Sequence, residues 1–302
     1  MGIRVACFPG SGYNFPMNRS TQSLLLGLTA VLCWASLATL GNLLRHLPPF
    51  YILAVAFIIG SLPAWKNPRA MSPSWSVSCW GIFGYFSYHF FLFYSFRFAP
   101  AIEANLINYL WPMILVLLTP VFFREARLKL HHFLGAGLGV LGTVVLVSGE
   151  GADLKVENTF GYILAFLAAL SWPIYSLGKK KMGETTLFSI GGFCLGAGIL
   201  CLVTHLFIEP RVVLQMHDVG HLVLMGVGPF GLAFYAWDLA LVRGDGRIIG
   251  ALSYLTPVLS TLGLILFAGQ SLTQASGLAM VLIISGASSG LLDFLPSKSL
   301  VK

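Results

Sequence analysis

The chain has 302 residues, of which 57% are hydrophobic and 10% charged, and its mean hydropathy is +0.83. A soluble domain carries about 25% charged residues, so there is too little charge here to cover a water-facing surface. The net charge of +7 does not indicate nucleic-acid binding, because the basic residues stand singly between apolar runs and not along one polar stripe.

Residues 1–20 read as a cytoplasmic tail. Positions 1–16 hold one early Arg and no apolar core long enough for a signal peptide. A helix needs about 20 apolar residues to cross the hydrocarbon core, and backbone groups in lipid must be satisfied within the segment. Ten candidate spans emerge, several short or containing Pro and Gly, near 22–44, 49–65, 75–98, 101–123, 131–148, 160–178, 186–208, 219–242, 247–268 and 274–295. Charged breaks separate them at 66–69, at 124–129 and at Lys179–Lys181. A polar loop at 149–158 holds Glu150, Asp153, Lys155 and Glu157. No loop has room for a soluble domain, so the chemistry lies within the membrane. The five cysteines form no CxxC pair and the seven histidines no HExxH pattern. His131 and His132 open an apolar run and are expected at the membrane surface. Neither metal nor other cofactor is expected.

With the N-terminus in the cytoplasm, fourteen of the 18 Lys and Arg residues fall on the inner side. The outer four are Arg45, Arg97, Lys155 and Arg211. The positive-inside rule therefore favours both termini inside. The segment Asn108-Tyr109-Leu110-Trp111-Pro112 resembles Ser253-Tyr254-Leu255-Thr256-Pro257 at an offset of 145, and Cys33-Trp34 resembles Ser171-Trp172 at an offset of 138. The expected architecture is all-α and polytopic. Ten transmembrane helices form two inverted five-helix repeats, 21–150 and 151–296, around a central cavity, and 297–302 form a cytoplasmic C-terminal tail. Such inverted pairs recur in secondary transporters, with the site at mid-membrane between the halves.

Polar residues in spans usually face the bundle interior. Asn105, Asn108 and Pro112 share one helical face, as do Ser253, Pro257 and Ser260. Each proline frees a carbonyl one turn earlier, which beside Asn108 or Ser253 suits an ammonium group; a plain packing kink is the other reading. Trp34, Tyr94, Tyr109, Trp111, Trp172, Tyr175, Trp237 and Tyr254 lie inside spans and not only at headgroup level, and form either a ring wall for an organic substrate or ordinary core. His89, Glu103, Asp238 and Arg97 are the ionisable groups within spans. Glu103 and Asp238 either serve a substrate or proton, or pair locally, Asp238 with Arg243 or a cytoplasmic-end Lys and Glu103 with Arg97. Gly135/Gly139, Gly192/Gly196 and Gly286/Gly290 have the spacing of close helix packing. No Walker or GxGxxG loop is present to suggest ATP-driven transport.

The segments from Glu103 to Pro112, Ala236-Trp237-Asp238, and from Gly250 to Ser260 resemble the drug/metabolite transporter superfamily, and within it the bacterial aromatic amino acid exporter branch. The likeness runs from about Thr21 to Asp293. It implies a multi-pass protein of the bacterial inner membrane that exports Phe, Tyr, Trp and other neutral amino acids from the cytoplasm by alternating access, and is not an enzyme. A different metabolite or a cationic drug remains the alternative substrate. By motif position it places Asn108, Tyr109, Trp111, Trp172, Trp237, Ser253 and Tyr254 at the substrate, to which the interior residues His89 and Tyr94 are added. Pro112, Pro173 and Pro257 are expected hinges. Asp238 stands where a neutral polar residue would be expected. The expected partners are a small-molecule substrate and the lipid bilayer, with a monomeric chain. An intramembrane enzyme would need a paired constellation that His89 and Asp238 do not form by motif, and a channel would show flux that does not saturate.

Overall fold

The first helix starts where Asn18 accepts a hydrogen bond from the Ser20 amide at 3.3 Å. The computed structural model describes residues 18–99, 104, 107–148, 156–183, 186–268, 274–290 and 292. Residues 1–17, Glu103, Asn105, Glu150, Asp153, Lys155 and the C-terminal tail lie outside the described residues. Helices α1 (Arg19–Ala35) and α2 (Leu37–Leu43) occupy the first predicted span and are broken at Ser36. They are followed by α3 (Pro49–Ser61), α4 (Trp75–Ser95), α5 (Trp111–Phe122) and α6 (Leu130–Ser148). The second half holds α7 (Thr159–Met182), α8 (Leu187–Ile208), α9 (Met216–Val227), α10 (Ala233–Arg243), α11 (Gly246–Ser253), α12 (Leu255–Ala268) and α13 (Gln274–Gly290). There is no strand among the described residues. Among the described residues, five helical stretches are long and apolar enough to cross a membrane: Arg19–Gly41, Pro49–Lys66, Val156–Met182, Leu187–Ile208 and Met216–Arg243.

Several boundaries differ from the sequence reading. Between α9 and α10 the chain makes one wide π-helical turn, Gly228–Leu232, in which Ala233 N–H reaches back to the Gly228 carbonyl. The segment predicted as one span at 247–268 is broken at Tyr254, and its counterpart at Tyr109-Leu110. Pro112 and Pro257 therefore sit in the first turn of the helix that follows each break, where a missing N–H costs nothing. Pro173 lies inside α7. That helix also overruns its predicted end at 178: it continues to Met182 and buries Lys179.

Packing follows the small residues. A Cβ on Gly139 would lie 2.7 Å from the Tyr254 ring, and one on Gly286 would lie 2.6 Å from the Gly135 carbonyl. Helices α6 and α13 thus meet backbone to backbone, as the glycine spacing predicted. Gly192 faces the Met71 carbonyl and Gly196 the Ile82 side chain. Ser23 Oγ ties α1 to α10 by donating to the Ala240 carbonyl at 2.7 Å. At the turn before α11, Arg247 bonds Asp245 at 2.6 Å, and Lys180 Nζ donates to the Gly244 carbonyl at 2.6 Å. Burial alone would raise the Asp245 carboxyl, but bonds from Arg247 and the charge of Lys180 outweigh it and hold the group below its ordinary value.

Pro48 offers α3 no side-chain cap. The Glu209 carboxylate from the end of α8 does so instead, accepting from Phe50 N–H at 3.0 Å and Tyr51 N–H at 3.2 Å. A carboxylate at a helix N-terminus satisfies orphan donors and complements the helix dipole. Glu209→Ala is expected to lower stability by about 1–2 kcal/mol, read as a reduced thermal unfolding midpoint of the purified protein in detergent. An unchanged midpoint would show that the cap contributes nothing.

Candidate functional site

Two breaks and a wide turn converge on one hollow. The cavity measures about 910 Å³, within the roughly 300–1,000 Å³ typical of small-molecule sites. Arg45, Leu47, Pro49, Phe96 and Arg97 line it toward the end of the bundle where α2 stops and α3 starts. Its deep end is aromatic: Trp34, Trp111, Trp172, Phe230 and Phe234.

Trp34 stands at the centre of that deep end. Its ring meets Trp111 at 6.3 Å, Trp172 at 5.7 Å, Phe234 at 6.1 Å and Trp237 at 5.1 Å between centroids. The first three are edge-on arrangements, as ring quadrupoles favour. Its indole N–H donates to the Pro229 carbonyl at 3.2 Å, in the turn whose widened geometry loosens the regular helical pairing. Phe230 and Phe234 reach the cavity from the same stretch.

Three polar groups interrupt the aromatic surface. His89 is buried on α4, with Nδ1 2.7 Å from the Tyr85 carbonyl. A carbonyl only accepts, so Nδ1 carries the proton and Nε2 remains an acceptor. Asn108 donates to the Tyr88 hydroxyl at 3.3 Å, while its Oδ1 is buried without a hydrogen bond. Thr256 Oγ1 is buried and likewise lacks one. Unsatisfied buried polar atoms are rare in folded proteins and call for a partner.

The sequence-predicted residues divide into two groups. His89, Asn108, Tyr109, Trp111 and Trp172 line the cavity. Trp237 lies beneath the lining, packed on Trp34 and Trp111 and donating to Ser176 Oγ at 3.2 Å. Ser253 Oγ bonds back to the Gly250 carbonyl, and the Tyr254 hydroxyl donates to the Ala136 carbonyl at 3.3 Å. Both serve helix packing there. Tyr94 stacks on Phe90 at 5.3 Å and lies beside Arg97, away from the lining. Sequence reasoning did not single out Tyr88, Phe230, Phe234 or Thr256 as site residues. The pair Phe230 and Phe234, four apart beside Pro229, was the available signal.

Below the aromatic floor lies an ion pair. Lys179 Nζ is 2.5 Å from Asp238 Oδ2, and the Tyr175 hydroxyl is 3.5 Å from Oδ1. Both charged residues are buried. Of the local partners weighed for Asp238, the structure selects a lysine and not Arg243. Trp172, Tyr175 and Lys179 follow one another on a single face of α7.

The model of the EamA-like transporter family matches residues 21–148 and again 159–289. The chain is 36% identical over 280 residues to the aromatic amino acid exporter YddG of Ancylobacter novellus, covering 90% of this chain and 97% of that protein. It is 26% identical to the protein of the same name from Salmonella typhimurium, covering 80% and 87%. A solved crystal structure superposes with a TM-score of 0.86 at 35% identity, over 90% of this chain and 97% of the other.

Proposed function

Because the chain belongs to the EamA-like transporter family, we propose that it exports aromatic and other neutral amino acids from the cytoplasm by alternating access. Ten helices in two inverted five-helix halves, both termini cytoplasmic, would carry that cycle in the bacterial inner membrane. The relatives named as aromatic amino acid exporters support the substrate class. The observation that carries the reading is the ring-floored cavity with His89, Asn108 and Thr256 among its lining residues. An indole or phenyl side chain stacks on Trp34, Trp111 and Trp172. Asn108 Oδ1, Thr256 Oγ1 and His89 Nε2 are acceptors for an α-ammonium, and Arg45 and Arg97 at the mouth attract a carboxylate.

Charge argues against the cationic-drug alternative. The charged residues lining the cavity are arginines, and the nearby carboxylate of Asp238 is already neutralised by Lys179 beneath the floor. A permanent cation would meet like charge at the mouth, whereas a zwitterion presents its carboxylate there. The charge distribution along the sequence puts the Arg45 end outside, so this conformation is outward-facing. The broken helices after Tyr109 and Tyr254, and the proline inside α7, are where the two halves would flex. Only unequal affinity of the substrate for the two states biases that change.

The test is counterflow of labelled Trp or Phe into liposomes holding the purified protein. Saturable flux is expected, and its absence for Trp, Phe, Met and Thr alike would overturn the proposal. Asn108→Ala removes one acceptor for a charged group, worth about 1.5–3 kcal/mol. It should raise the apparent KM at least tenfold, with the unfolding midpoint lowered only by the lost bond to Tyr88, about 1 kcal/mol. An unaltered KM would remove Asn108 from the site.

A further inference from the structure

The loop after α2 and the first turn of α9 meet at side chains that substrate binding does not use. Asp218 is the third residue of α9, and its Oδ2 accepts from the Gln215 amide at 2.9 Å, which fixes the carboxylate in place. Its Oδ1 is buried and makes no aligned hydrogen bond. That oxygen nevertheless lies 3.1 Å from His46 Nε2 and 3.3 Å from His217 Nε2. His46 Nε2 is also 3.2 Å from Oδ2. One ligand atom from each of the three residues can be chosen so that all lie within 4.8 Å of one another. His221 stands one turn beyond His217 on the same helix face, with ring centroids 6.3 Å apart and its Nδ1 buried without a hydrogen bond.

These distances have a metal-site character. Tetrahedral zinc with bonds of about 2.0–2.1 Å sets neighbouring ligand atoms roughly 3.3 Å apart, close to the two edges seen here. The carboxylate is fully buried and held by the helix N-terminus, while His46 and His217 are 39% and 61% exposed. A cation therefore has a rigid anionic anchor and an open approach. Two imidazoles and one carboxylate suit zinc, whereas magnesium and calcium favour oxygen ligands. The sequence offers no HExxH pattern because the ligands come from segments about 170 positions apart. We propose that His46, His217 and Asp218 form a Zn²⁺ site that ties the loop between α2 and α3 to the start of α9.

The experiment is calorimetric titration of ZnCl₂ into the chelator-treated, full-length protein in detergent, with MgCl₂ alongside. One equivalent of zinc should bind, and magnesium should not compete. His46→Ala and His217→Ala should each weaken zinc at least tenfold. Both histidines face the buried Asp218 carboxylate, so each variant's metal-free unfolding midpoint serves as its own baseline, and zinc should raise the midpoint in the parent alone. Absence of stoichiometric binding, or undiminished binding in both variants, would overturn the site. So would loss of binding in a His131→Ala/His132→Ala variant with the His46 and His217 variants unaffected. Because binding is read without transport, its failure would leave the exporter proposal standing.

Discussion

Lys179→Met is expected to destabilise the protein by about 3–5 kcal/mol, the cost of leaving a buried carboxylate without its partner. The methionine retains most of the lysine's apolar stem, so lost charge and not lost volume dominates. Asp238→Leu should cost a comparable amount, because it strands the ammonium 2.5 Å away. The double variant Lys179→Met/Asp238→Leu should recover most of the loss, since hydrophobic replacement of a complete buried pair is often neutral. Unfolding in detergent of the parent, both singles and the double would measure the coupling. Strict additivity would mean that the two charges do not depend on each other. Liposome flux separates stability from function. In the proposed outward-facing state the pair lies between the aromatic floor and the inner side, so a substrate entering from the cytoplasm must pass it. The double variant should therefore be stable and yet altered in transport. A stable double variant with parental flux would make the pair purely structural.

Trp34→Ala should be the most damaging change within the cavity. The indole contacts four aromatic rings and donates to Pro229, and truncating such a residue typically costs about 3–5 kcal/mol. The floor would then hold a void the size of an indole between α1, α5, α7 and α10. Saturable flux of aromatic amino acids should fall below detection. Trp34→Phe keeps a ring but loses the bond to Pro229, about 1 kcal/mol, so it should retain measurable flux with a modestly lower unfolding midpoint. Equal flux in both variants would show that substrate does not rest on this ring.

Apolar run length was enough to mark the chain as all-helical, because in lipid a helix satisfies its backbone within the segment. It was not enough to place the breaks. The helices are interrupted at Tyr254 and at Tyr109-Leu110, and the prolines that marked those segments lie just past each break. Lys179 was misread for a related reason. Three consecutive lysines look like a loop, yet the first shares a face with Trp172 and Tyr175 and finds Asp238 on another helix. Partnership across 59 residues leaves no local trace. Asn108, Trp111 and Trp172 were legible because polar and indole groups inside apolar runs need a reason to be there. Ser253 and Tyr254 satisfied the same criterion and found backbone carbonyls instead.

The wide turn at Gly228–Leu232 has a bearing on how this stretch can vary. An ordinary helix advances about 100° per residue, so that turn accommodates one residue more than the regular winding would. Excising one of its residues would restore even winding and leave the helix beyond it in place, so Trp237 would keep Trp34 and Asp238 would keep Lys179. The same excision in the regular helix at Ala233–Ala236 would rotate everything downstream by about 100° and turn both residues away. The count of residues can therefore change at this turn where it cannot in its flanks.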